Sequence, residues 1–163
     1  MNTTVTRIDR AFCQEARTQK LLRRFVSETA SACCAFEATF WTISHDGGKI
    51  DCAVNSGASP NIIENISVPS SDSVVGLVAN TGIAACIGPG DYQNTSVAAL
   101  TGVQVHAMLV APVNCGGSVC GVLSAVNPLG GGVFAPGDLE TIQWKAYLLG
   151  LVLADVCKDC AAQ

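Results

Sequence analysis

"NPLGGGVFAPGDLETI", residues 127–142, joins the end of an apolar run to the start of a helical pattern. Asn127-Pro128 closes the run, three glycines follow, and Phe134 precedes Asp138 by four positions. The glycines let the chain reverse at positive φ, where a side chain would clash. Phe134 is expected to fold back as a plug between the preceding strand and the following helix, burying apolar surface worth about 2 kcal/mol. Asp138, in the helix's first turn, faces unpaired backbone N–H groups and the positive end of the helix dipole. Asn127, Phe134 and Asp138 are therefore expected to shape the fold rather than touch a ligand.

Upstream, "VHAMLVAPV" (105–113) and "SVCGVLSAV" (118–126) read as two strands joined by "NCGG". Downstream, a long helix runs from about residue 137 to 156. Residues 7–34 read as the first helix, with Ile8, Phe12, Leu21, Leu22, Phe25 and Val26 apolar and six basic residues interspersed. "ATFWTIS" (38–44) is a β-branched, aromatic strand; "HDGG" is a tight turn, and "KIDCAVNS" (49–56) its hairpin partner. "SPNIIENISVPSSD" (59–72) reads as irregular. Asp72 or Ser73 offers an N-cap to the short helix "VVGLVANTG", closed by Gly82, and "IAACIG" (83–88) is a short strand. "PGDYQNTSVAALTGVQ" (89–104) holds turn residues and at most one helical turn. The order is helix, two strands, small helix, strand, loop, two strands, helix. It specifies an α+β sheet with the terminal helices packed on one face. One domain over residues 1–163 is expected, with a helical segment at about 7–34, a core at about 36–136 and the final helix.

With these pieces in order, the chain resembles a GAF domain over nearly its whole length, best from Val74 to Val156. "VVGLVANTGIAACI" resembles the family's short helix, turn and strand. "TGVQVHAMLVAPV" resembles the approach to its fourth strand, "GVLSAVN" its fifth, and "FAPGDLE" its entry into the final helix. The resemblance implies a central antiparallel sheet, terminal helices on one face, and a short helix plus loops over the other. It also implies a small-molecule pocket between sheet and short helix, lined by Phe40, Val75, Cys86, Asp91, Tyr92, Thr95 and Ser124. Such a pocket is mostly apolar with a few placed polar groups; the alternative is that it has collapsed and these residues simply pack. The cyclic-nucleotide-binding branch has a Lys where Pro128 stands and a Glu where Leu139 stands. The lysine–aspartate pair of that branch cannot form, so no cyclic nucleotide is expected.

The resemblance raises two chemistries that the residues do not match. Free methionine sulfoxide reductases carry a Cys where Val75 lies and another in the loop before the fourth strand, where there is no thiol between Cys86 and Cys115. Bilin photoreceptors need a Cys in that same loop, usually followed by His, and neither His45 nor His106 has a cysteine neighbour. Cys157-Lys158-Asp159-Cys160 is a single C-x-x-C, whereas a structural zinc site needs four ligands. Cys115 and Cys120 flank the "GGSV" turn, a spacing that allows them to face each other on a hairpin, and free thiols are the expectation. Cys33-Cys34 end the first helix. No catalytic residue, metal or cofactor is expected.

Composition bounds the partners. Hydrophobic residues make up 49% and charged residues 13% of the 163, against about 25% charged in typical domains. Some apolar surface is therefore expected to be covered by a partner. A net charge of -4 argues against nucleic acid. The longest apolar run, "AYLLGLVLA" (146–154), is far below the roughly 20 residues that span a bilayer. Nine scattered cysteines and a polar N-terminus without an apolar core point to reduced thiols and a cytoplasmic chain. Finally, "AYLLGLVLADV" (146–156) is apolar nearly all round. Ile142, Leu149, Val152 and Val156 form one stripe, to lie on the sheet with Leu22 and Phe25; Leu148 and Leu151 form another. A helix on a sheet needs one stripe of about 100°, so the second predicts a two-fold homodimer with Leu148 and Leu151 at its interface. Taken with these features, the resemblance implies a non-catalytic sensory or regulatory domain that binds a small molecule or a partner. A thiol-dependent reductase and a purely structural dimerisation module are the rivals.

Overall fold

The computed structural model describes residues 8–58, 60–91 and 104–161. Six antiparallel strands form one sheet: β1 (Ala35–Ile43), β2 (Lys49–Asn55), β3 (Ser67–Pro69), β4 (Ala85–Ile87), β5 (Met108–Cys115) and β6 (Ser118–Pro128). Their spatial order is β3-β2-β1-β6-β5-β4. The helices are α1 (Arg10–Gln14), α2 (Ala16–Ala32), α3 (Pro60–Ile63), α4 (Val74–Thr81) and α5 (Pro136–Ala161). The fold is α+β, with α2 and α5 against one face and α4 against the other.

Strand alternation divides the interior in two. On the helix side, Ala38, Phe40, Val54, Leu109, Ala111, Leu123 and Ala125 meet Leu22 and Val26 of α2 and Ile142, Ala146, Leu149 and Leu153 of α5. On the other side, Trp41, Cys52, Val110 and Val122 meet Ile63, Val74, Val75 and Val78. Close approach depends on two glycines. A Cβ on Gly121 would overlap the Phe40 ring and the Trp41 carbonyl, and one on Gly150 would overlap the Asn114 carbonyl. Gly121 thus lets β6 lie under the Phe40 ring, and Gly150 lets α5 press directly on β5.

The 127–142 stretch closes both ends of this packing. Asn127 adopts a left-handed φ of 55°. Its Oδ1 accepts from the His106 N–H at 2.7 Å, and its Nδ2 donates to the Gln104 carbonyl at 2.8 Å. The side chain thereby ties the approach to β5 onto the end of β6. Phe134 is buried in the helix-side core. Asp138 accepts from the Ala135 N–H at 2.7 Å, which satisfies a donor at the start of α5.

Four local expectations need correction. The first helix is two: Glu15 is extended (ψ 133°) and separates α1 from α2. The break lets Phe12 and Cys13 turn into the core while the Arg10 guanidinium reaches the Cys52 and Ile66 carbonyls. Residues 59–72, read as irregular, contain α3 and the edge strand β3, both too short to give a periodic signal. The final helix extends to Ala161 rather than ending near 156. Its sheet-facing stripe is Ile142, Ala146, Leu149, Leu153 and Cys157, with Val152 and Val156 only half-buried. The short helix is as expected: the Ser73 Oγ accepts from the Gly76 N–H at 3.0 Å, and Gly82 ends it at φ 68°.

Candidate functional site

Between α4 and the sheet the side chains leave a cavity of about 60 Å³. Its floor follows from β1 register. Glu37, Thr39 and Trp41 project to this face, while Ala38 and Phe40 project to the other. Across the sheet, Thr39 pairs with Ser124 of β6 and Asn55 of β2, and Glu37 pairs with Val126. The walls are mainly aliphatic: Ile63, Val68, Val74, Val75, Ile87, Val105 and Met108, with Ser73 at the start of α4.

The polar floor groups fix one another. Trp41 Nε1 donates to Ser124 Oγ at 2.8 Å, and Asn55 Nδ2 donates to Thr39 Oγ1 at 2.8 Å. Asn55 Oδ1 in turn accepts from the Gly57 N–H at 2.7 Å. Glu37 is the one charged side chain in the described lining, and it is 8% exposed. Burial pushes its carboxyl pKa up, and a hydrogen bond from the Asn55 side chain acts in the opposite direction. The carboxylate backs against Gly57, where a Cβ would overlap Glu37 Oε2. A cavity with apolar walls, a fixed polar floor and one buried carboxyl can select a small molecule by shape and by charge.

Of the residues expected to line the pocket, Val75 and Ser124 do so. Phe40 does not: it is fully buried among α2, α5 and the helix-side strand residues. Cys86 pairs with Leu109, a helix-side residue, whereas its neighbour Ile87 lines the cavity. Phe40 and Cys86 each lie one step of strand parity from a residue that does line the cavity, Thr39 or Trp41 for the first and Ile87 for the second. Asp91 is exposed and accepts from the Gly88 N–H at 2.8 Å, closing the turn after β4 outside the cavity lining. Tyr92 and Thr95 lie outside the described residues. Glu37, Thr39 and Trp41 were missed. The alternation Glu-Ala-Thr-Phe-Trp carried the signal: its polar members share one parity, while the most conspicuous aromatic has the other.

The thiols form no metal cluster among the described residues. Cys115 and Cys120 do face each other, Cys120 Sγ lying 3.0 Å from Cys115 Sγ as free thiols. Burial pushes the Cys13 thiol up to about 12 and Cys33 to about 11. It also raises Cys52 and Cys120. On α5, Leu148 and Leu151 are exposed, and so are Trp144 and Tyr147, which stack edge to face at 5.8 Å.

An antiparallel sheet with its long helices on one face and an apolar-walled pocket on the other defines the class, an α+β domain organised around a pocket. The chain belongs to the GAF domain family, whose model matches residues 17–153. Domains of this family are sensory and regulatory modules of signalling proteins. The fold is similar to the second GAF domain of DevS from Mycobacterium smegmatis (TM-score 0.74, 17% identity, 89% of this chain and 99% of that one). It is also similar to the GAF domain of a phosphoenolpyruvate-protein phosphotransferase from Coxiella burnetii (TM-score 0.74, 16% identity, 88% and 86%). A third likeness is to a domain of a putative two-component sensor histidine kinase from Sinorhizobium meliloti (TM-score 0.70, 11% identity, 91% and 99%). No curated protein sequence matches the chain.

Proposed function

We propose that this chain is a non-catalytic, cytoplasmic sensory domain that takes a small molecule between the sheet and α4 and signals through a homodimer. The observation that carries the reading is the cavity itself, with a floor of mutually hydrogen-bonded side chains under apolar walls. A route for the signal follows from β5. Met108 and Val110 face the cavity side while Leu109 and Ala111 support α5, so displacement of one face is felt by the helix on the other.

Several observations support the remaining parts. Leu148 and Leu151, with Trp144 and Tyr147, form an apolar face on α5 of the kind that soluble domains cover with a partner. Cys13, Cys33, Cys34, Cys52, Cys86, Cys115 and Cys120 are thiols outside any disulfide, which is compatible with a reducing compartment. No helix among the described residues is long and apolar enough to cross a membrane. A thiol-dependent reductase needs a lowered thiol pKa, whereas every shift resolved for the described cysteines is upward.

The test is a metabolite panel read by thermal denaturation of the wild type and of Val75→Phe, which fills the cavity. Compounds that raise the wild-type midpoint and leave the variant unmoved support the reading. Equal responses from both proteins contradict it, and silence across the panel favours a purely structural dimerisation module.

A further inference from the structure

The cavity's charge pattern points beyond its shape. Residues 50–144 contain neither Lys nor Arg. That span supplies every element around the cavity except β1 and the first residue of β2, and it includes the whole connection from β4 to β5. Of the cations elsewhere, Arg23 is committed to Glu64 at 2.9 Å, and Arg10 to the Cys52 and Ile66 carbonyls. Against this background stands Glu37, buried, its carboxyl pKa raised by burial and its carboxyl hydrogen-bonded by the Asn55 side chain, with no Lys or Arg beside it among the described residues. A buried carboxyl with no cationic partner is costly to the folded protein. Its natural complement is a positive charge brought by a ligand.

We infer that the cavity takes a compact apolar cation, its protonated nitrogen on Glu37 and its hydrocarbon or aryl body against Val68, Val75, Ile87 and Met108. This rests on the pocket reading above and specifies its ligand class. An ammonium or amidinium head donates charge-assisted hydrogen bonds to the carboxylate, while the aliphatic wall desolvates the body. A phosphate or carboxylate ligand would instead meet Glu37 with no Lys or Arg in the described lining to receive it, which disfavours cyclic nucleotides on electrostatic grounds as well.

The experiment titrates the full chain with three isosteres, 2-phenylethylammonium, 2-phenylethanol and 3-phenylpropanoate, following Trp41 side-chain resonances by NMR. The ammonium compound is expected to bind with a Kd below about 1 mM and at least about tenfold tighter than the alcohol. In Glu37→Gln that preference should vanish, the ammonium compound losing at least about tenfold relative to the alcohol. Equal or tighter binding of the carboxylate overturns the inference, as does an ammonium preference that survives in Glu37→Gln. If the alcohol binds and the ammonium compound does not, the charge inference fails while the pocket reading stands. If none of the three binds, both lose their support.

Discussion

Trp41 Nε1 donates to Ser124 Oγ at 2.8 Å across the β1–β6 pair, and both side chains are buried on the cavity face of the sheet. The bond fixes the indole in the floor and satisfies the donor that burial of a tryptophan leaves. Ser124→Ala removes the acceptor and strands the N–H. The variant should lose about 1–3 kcal/mol in denaturant unfolding, with a change in Trp41 emission. A melt superimposable on the wild type would mean that the indole finds another partner.

Glu37 gives the stability a definite pH dependence. Its folded-state pKa is raised, first by burial, above its ordinary 4.5. The folded protein therefore holds the proton more tightly than the unfolded chain. Stability from this group is fully present below 4.5 and is lost as pH rises through the folded pKa. Glu37→Gln, neutral at every pH, should melt above the wild type at neutral pH. The gap should close on acidification towards 4.5. A variant less stable than wild type at neutral pH would show that the carboxylate is favourably compensated in the fold.

Phe134 bridges the end of β6 and the start of α5 from within the helix-side core. Phe134→Ala should cost about 3–5 kcal/mol, from lost burial and the cavity left behind. Stability within about half a kcal/mol of wild type would mean that the core closes over the gap at almost no cost, well outside the usual range for such truncations.

The exposed face of α5 predicts the assembly. Light scattering at about 10 μM, well above the Kd of a stable dimer, should give twice the 16.8 kDa chain mass. Leu148→Glu with Leu151→Glu should give the single chain mass, because each buried carboxylate would go unpaired. A wild-type monomer, or a double variant that still dimerises, would remove these residues from the interface.

Which parts of the molecule were legible from sequence follows from the range of the signals. The 127–142 stretch, the Ser73 and Gly82 caps and the β1–β2 hairpin are written in local chemistry, so they could be read directly. The break at Glu15 was hidden because α1 and α2 share one amphipathic pattern. Only tertiary demand, Phe12 inward and Arg10 onto β2, separates them. The site was harder. All the expected lining residues came from the resemblance; Val75 and Ser124 do line the cavity, whereas strand parity turns Phe40 and Cys86 to the other face. Along β2 an extra residue, Ala53, shifts the pairing between Phe40 and Trp41, while β1 keeps its alternation and so turns Phe40 to the helix side. Glu37 was passed over because an acid in a strand reads as surface until its neighbours are known. Its burial depends on Gly57 just after β2 and on the pairing with Val126 of β6, both distant in the chain.

The central claim is that a small molecule occupies the α4 side of the sheet. Methyl NMR of the full chain, titrated with the tightest-binding member of the metabolite panel, tests it most directly. Shifts should concentrate on Val68, Val74, Val75, Ile87, Met108 and Val126, which line the cavity. Leu22, Val26 and Leu123 in the opposite core should stay nearly still. Saturable shifts confined to that opposite core, or to Leu148 and Leu151 on α5, would place the ligand elsewhere and contradict the account.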